Sequence, residues 1–196
     1  MIAQPLQRGD RHAPLQSAFF ASFLHVALLV AVAVLAAWPA HARDNLKFGE
    51  QRGAVSGLPV PRFVSLKADR VNLREGPSRD HRVTWVFQRA GLPVEVTAEF
   101  DVWRKVRDSE GTEGWVLHSL LSGRRTALVA PWKKGDIFTL RARPVADATP
   151  VARLQAEVIA GIKSCDGKWC HVYGSGFDGY IRQTSLWGVY PNEKIE

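Results

Sequence analysis

Val71-Asn72-Leu73-Arg74-Glu75-Gly76-Pro77 and Phe138-Thr139-Leu140-Arg141-Ala142-Arg143-Pro144 are two copies of one phrase, set 67 residues apart. The echo continues downstream. Trp103 is matched by Trp169 at an offset of 66, and Gly114-Trp115, Leu121 and Gly123 are matched by Gly179-Tyr180, Leu186 and Gly188 at 65. An offset that shrinks only by small loop deletions, with apolar, Gly and Pro positions kept in order, means one folding unit used twice. The period exceeds the roughly 20–50 residues of solenoid repeats and suits two small, self-contained domains.

Within each copy, short runs alternate between apolar and polar residues and end in turn chemistry. Val71 and Leu73 alternate with Asn72 and Arg74 before Glu75-Gly76-Pro77-Ser78, and Val94 and Val96 flank Glu95. Trp103-Arg104-Lys105-Val106 leads into the loop 108–114, after which Gly114-Trp115-Val116 restarts a strand. The second copy offers Glu157-Val158-Ile159, Trp169-Cys170-His171-Val172-Tyr173, the turn Gly174-Ser175-Gly176, and Gly179-Tyr180-Ile181. Beyond the N-terminal region, no segment keeps a 3.6-residue apolar period over helix length. The fold class is therefore all-β: two small, strongly bent, five-stranded barrels or sandwiches in tandem.

The phrase N-L-R-E-G-P-S at 72–78, the strand W-R-K-V at 103–106 and G-W-V at 114–116 resemble the bacterial SH3-like domain. The resemblance covers about 67–123 well and about 135–190 more loosely, because Arg143 stands where the first copy has Gly76, and Tyr180 where it has Trp115. Gly57-Leu58-Pro59-Val60-Pro61-Arg62-Phe63-Val64-Ser65-Leu66-Lys67 looks like the lead-in of a family of exported alphaproteobacterial proteins carrying this domain. The resemblance implies binding to cell-wall peptides or proteins, a role that often accompanies a cell-wall hydrolase. No hydrolase segment is recognised in this sequence.

Arg8, Arg11 and His12 precede an apolar run from Ala18 to Trp38, and Pro39-Ala40-His41-Ala42 follows. A basic n-region, an apolar core and an Ala-x-Ala ending are the parts of a secretory signal peptide cleaved after Ala42. An uncleaved inner-membrane anchor is the alternative, since 18–38 matches the roughly 20 residues a spanning helix needs. The expected organisation is a signal at 1–42, a flexible lead-in at 43–62, a first domain at 63–126, a linker at 127–134, a second domain at 135–191 and a tail at 192–196. Export to the periplasm gives the only two cysteines, Cys165 and Cys170, an oxidising compartment. They bracket the Asp166-Gly167 turn of an expected hairpin, which makes a structural disulfide across it plausible. A redox or metal pair fits less well, because four intervening residues match neither a two-residue redox spacing nor a completed zinc site.

The chain carries 26 Lys and Arg against 19 Asp and Glu, for a net charge of +7. In an exported protein such basicity points to wall-peptide carboxylates or an anionic membrane surface rather than to nucleic acid. Nothing calls for a cofactor or a metal. His81, His118 and His171 stand in no His-x-x-x-His or His-x-x-Glu arrangement, and Gly174-Ser175-Gly176 lacks a nucleophile-elbow frame. Asp108, Glu110 and Glu113 read as a solvated turn, with calcium as a weaker alternative. The chain thus reads as a binding protein rather than an enzyme, recognising peptidoglycan stem peptides or, alternatively, docking as an adaptor onto an envelope protein. The expected ligand residues lie in the first domain's loops: Arg74, Arg79 and His81, with Trp85 and Phe100 supplying rings. Trp103 and Trp115 are expected to pack in the core.

Overall fold

The computed structural model describes residues 51–196; the signal segment with Ala42, and residues 43–50 of the lead-in, lie outside the described residues. A short hairpin, β1 (Gln51–Arg52) and β2 (Pro59–Val60), precedes the first barrel. That barrel comprises β3 (Arg62–Leu66), β4 (Val71–Arg74), β5 (Val83–Phe87), β6 (Pro93–Phe100), β7 (Trp103–Arg107), β8 (Glu113–Leu117) and β9 (Leu121–Ser122). The second comprises β10 (Thr126–Val129), β11 (Ile137–Arg141), β12 (Pro150–Gln155), β13 (Ile159–Asp166), β14 (Trp169–Gly174), β15 (Phe177–Arg182) and β16 (Leu186–Trp187), with β17 (Lys194–Ile195) added beside β13. A single 3₁₀ turn joins β8 to β9 at His118–Leu120 and β15 to β16 at Gln183–Ser185.

The two sheets are one topology used twice. Strand order is β5-β4-β8-β7-β6-β3-β9 in the first and β12-β11-β15-β14-β13-β10-β16 in the second. The irregularities repeat as well: the register shifts between Leu73 and Arg74 and again between Leu140 and Arg141, and likewise between Val96 and Ala98 and between Ile162 and Ser164. Such bulges bend a strand and raise its twist, which lets so few strands curl around a core. In β4 the alternation buries Val71 and Leu73 fully; in β11 Leu140 takes the same buried place. Gly114 and Gly179 are required where β8 and β15 cross closely behind these leucines. A Cβ at Gly114 would lie 2.6 Å from Leu73 Cγ, and one at Gly179 3.0 Å from the Arg141 carbonyl.

The all-β class and the tandem plan stand, while several boundaries move. Each barrel has seven strands rather than five, because Arg62–Leu66 and Thr126–Val129 are strands and β9 and β16 add short closing pairs. The expected linker at 127–134 begins inside the second barrel: Ala127, Leu128 and Val129 pair with β13 and β16 and are buried. Three consecutive apolar residues after a buried threonine do not alternate, so they carry no strand period. The lead-in from Gln51 is structured as well, and the tail supplies β17, with Ile195 opposite Cys165. Cys165 and Cys170 face each other across β13 and β14 and form a disulfide, with Cα atoms 4.1 Å apart.

The barrels are docked on each other. Thr126 Oγ1 donates to the Gly91 carbonyl at 2.7 Å in a buried position, and Arg89 Nη2 donates to the Glu157 carbonyl at 3.0 Å. Phe63 of the first barrel meets Trp187 edge-on and Tyr190 at a tilt, with ring centroids 5.1 and 4.6 Å apart. The Tyr190 hydroxyl donates to Glu95 Oε1 at 2.7 Å, and Arg107 takes the other oxygen of the same buried carboxylate. Burial first, and then the neighbouring Glu95 carboxylate, raise the Tyr190 phenol well above its ordinary pKa and keep it a donor.

Candidate functional site

Strand β4 sets the site by its period of two. With Val71 and Leu73 inward, Asn72 and Arg74 stand on the outer face, and Arg70 continues that row one step earlier. These three and Arg79, from the loop that follows β4, line a groove of about 340 Å³ with Trp103, Leu117 and Leu120. Its lining holds three arginines and no acidic side chain. Arg74 Nη1 donates to the carbonyls of Arg79 and His81, at 2.9 and 2.7 Å, and thereby shapes the loop. Arg70 and Arg79 form no side-chain hydrogen bond or ion pair among the described residues.

The sequence-predicted residues do not all gather there. Arg74 and Arg79 do. His81 lies against the backbone of Gly76, where a Cβ would come within 2.3 Å of its Nε2, so this ring explains the glycine of the G-P-S phrase. In the second copy the pair is exchanged: Arg143 replaces Gly76, and the small, buried Ala148 stands in the place of His81. Trp85 is 54% exposed but lines a different groove, with Arg89, Asp108 and Glu110. Phe100 is 58% exposed at the β6–β7 turn and lines neither groove. Trp103 is buried, as expected, yet it also lines the arginine groove, whereas Trp115, likewise expected in the core, is only half-buried, because its place in β8 alternates with the inward Gly114 and Val116. Sequence reasoning passed over Arg70 and Asn72, although the alternation that places Arg74 outward places them on the same face.

The second barrel carries the equivalent groove, of about 250 Å³. Thr139, Arg141, Ala146, Trp169, Arg182 and Ser185 stand there for Asn72, Arg74, Arg79, Trp103, Leu117 and Leu120. Arg141 keeps the structural role of Arg74, donating to the Ala148 carbonyl at 2.7 Å. The loop arginine has become Ala146, and the Arg182 guanidinium lies 4.3 Å from the centroid of the Trp169 ring and covers it. Thus one groove is open and basic, and its copy is smaller with its indole already occupied.

Around Glu99 lies a second cluster, which is structural. Its side chain is fully buried, accepting from the Val55 and Ser56 amides at 3.1 and 2.8 Å, from the Ser56 hydroxyl at 2.6 Å and from Arg62 at 2.8 Å, with Arg104 3.4 Å away. Burial alone would raise its pKa, but these hydrogen bonds outweigh burial and hold the carboxyl at about 2. Among the described residues no group of three or more His, Cys, Asp or Glu side chains is placed to hold a metal ion.

No curated protein matches the sequence. Among solved structures, NlpC2 from Trichomonas vaginalis is similar at 15% identity and a TM-score of 0.30, over 65% of this chain and 48% of that one. NlpC1 from the same organism is similar at 17% identity and a TM-score of 0.30, over 69% and 48%. The chain thus spans about half the length of those proteins. The family model for the bacterial SH3 domain matches twice, at residues 67–123 and 134–188, one match covering most of each sheet and leaving out β3, β10 and β17. With more than half its length in these two matches, the chain belongs to the bacterial SH3 domain family and carries the domain in tandem.

Proposed function

We propose that the protein is a non-catalytic, exported binding module that recognises carboxylate-bearing peptides, the stem peptides of peptidoglycan foremost, through the groove of the first barrel. The observation that carries this reading is the convergence of Arg70, Arg74 and Arg79, without an acid, around the edge of Trp103. Guanidinium groups pair with carboxylates in a two-pronged geometry, and an indole edge offers apolar area to the ligand's aliphatic stem. The net charge of +7 adds a long-range pull toward an anionic wall. The periplasmic address rests on the N-terminal signal pattern of the sequence.

The test is co-sedimentation with purified sacculi at low and at high salt, for the protein and its Arg79→Ala variant. Retention that survives high salt and falls about tenfold in the variant, the scale of one charge-assisted hydrogen bond, supports recognition at the groove. Retention that vanishes with salt in both means charge attraction alone, and no retention overturns the reading. Adaptor docking is the second reading, favoured by Trp85, which stands exposed in a groove outside the arginine cluster. Co-purification from intact envelopes that depends on Trp85 and not on Arg79 would place it first.

A further inference from the structure

We propose that the cleft between the two barrels is a second binding site, and that it takes the carboxyl-terminal end of a polypeptide whose last side chain is apolar. The cleft holds about 800 Å³, larger than either barrel groove and within the roughly 300–1,000 Å³ of ligand sites, which favour domain junctions. It exists only because the barrels are docked. Phe63 comes from β3 of the first barrel, and Trp187 and Tyr190 from the end of the second, and their mutual packing fixes the aromatic wall.

Three features of the lining specify the occupant. Trp132, 55% exposed, adds a large apolar surface that water does not satisfy and an aliphatic or aromatic side chain would cover. The charge is positive: Arg107, Lys168 and Arg182 line the cleft against a single acid, Glu95, whose carboxylate is already taken by Arg107 and the Tyr190 hydroxyl. Lys168 makes no direct ion pair among the described residues, its nearest acid being Asp166 two residues away, which feels its charge without contacting it, so an incoming carboxylate can contact the ammonium directly. Finally, two lining residues hold buried polar atoms without partners, the acceptor Gln183 Oε1 and the donor Trp187 Nε1. Both atoms are covered in the empty cleft; brought to its surface by a side-chain rotation, that acceptor and donor would match the N–H and C=O of one peptide group.

The probe is N-acetyl-alanyl-leucine with a free carboxylate, compared with its carboxamide, titrated into the whole protein while the indole N–H resonances of its tryptophans are followed. Single Trp→Phe variants assign the signals. The expected result is a saturable shift of the Trp187 and Trp132 signals, with the carboxamide about tenfold weaker, the scale of one charge-assisted contact. Lys168→Glu should remove that difference, Trp132→Ser should weaken both probes, and Arg79→Ala should change nothing. Lys168 and Trp132 are both surface residues, so neither variant threatens the fold. Absence of shifts at Trp187 and Trp132, equal affinity for acid and amide, or binding abolished by Arg79→Ala would each overturn the proposal. The last outcome would instead assign the peptide to the first-barrel groove, so failure here and failure of the proposed function are told apart.

Discussion

Where the first barrel sets Glu99 opposite Arg104 across β6 and β7, the second sets Cys165 opposite Cys170 across β13 and β14. One position in the repeat is locked by charge in one copy and by a covalent bond in the other. The ionic lock also reaches outward, because Glu99 gathers Ser56, Val55 and Arg62 and so fastens the β1–β2 hairpin to the barrel. The covalent lock stays within its own hairpin, and the added strand there is β17, paired with Cys165 and Asp166. The grooves diverge in the same direction: the first barrel keeps an open cluster of cations, whereas the second spends Arg182 on Trp169. A duplicated fold keeps its frame in both halves, with an open basic groove on one half and the equivalent groove of the other partly filled by its own arginine.

The harshest trial of this symmetry is in the cores. Leu73→Ala and Leu140→Ala remove equivalent, fully buried side chains, and each should cost about 2–5 kcal/mol. Urea unfolding followed by tryptophan fluorescence should show one transition, displaced by either change, because the barrels share buried contacts. Two separate transitions, only one of them displaced, would break the picture of a docked pair.

The locks should answer to different chemistry. Glu99 has a folded pKa of about 2 against an ordinary 4.5, so its contribution is fully present above about 4.5 and is lost as pH falls toward 2. At about 1.4 kcal/mol per unit this amounts to roughly 3 kcal/mol. Glu99→Gln should flatten the fall of the urea midpoint between pH 4.5 and 2; an unchanged profile would assign the acid sensitivity to other carboxylates. Reduction with dithiothreitol at neutral pH should cost the second barrel less than the ~3 kcal/mol of a 15-residue loop, because the closed loop is short.

The smallest effect expected is a gain. Ala146→Arg together with Arg182→Leu restores two residues of the first groove in the second, and should add a weak second peptide site by calorimetry. If the graft binds nothing while the first groove binds, the remaining differences are decisive: Ile137, Thr139 and Ser185 stand where the first copy has Arg70, Asn72 and Leu120.

The repeat was legible because Leu73 with Leu140, Trp103 with Trp169 and Gly114 with Gly179 are fixed by burial and close approach, which few residues satisfy. β3 and β10 were not, because Phe63-Val64-Ser65-Leu66 and Thr126-Ala127-Leu128-Val129 do not alternate and stand at the joints, where a composition shift resembles a linker. Arg74 and Arg79 could be found from the motif and its loop. Separating His81, Trp85 and Phe100 from them required the path of the chain: neighbours in a loop point to different sides of a barrel, and the sequence does not say which. The orphaned atoms of Gln183 and Trp187 leave no trace in sequence, because which polar atoms lack a partner is decided only by the packed chain.

The buried Thr126–Gly91 bond and the Phe63 contacts also bear on how two sites on one molecule, the first groove and the cleft, would address a lattice. Modules on a slack tether reach for ligands at many separations and gain avidity over a range of lengths. Barrels held by shared side chains behave as a caliper with its jaws locked. They gain from a second contact only where the spacing of the target equals their own, so the gap between the barrels would itself select among surfaces of identical chemistry.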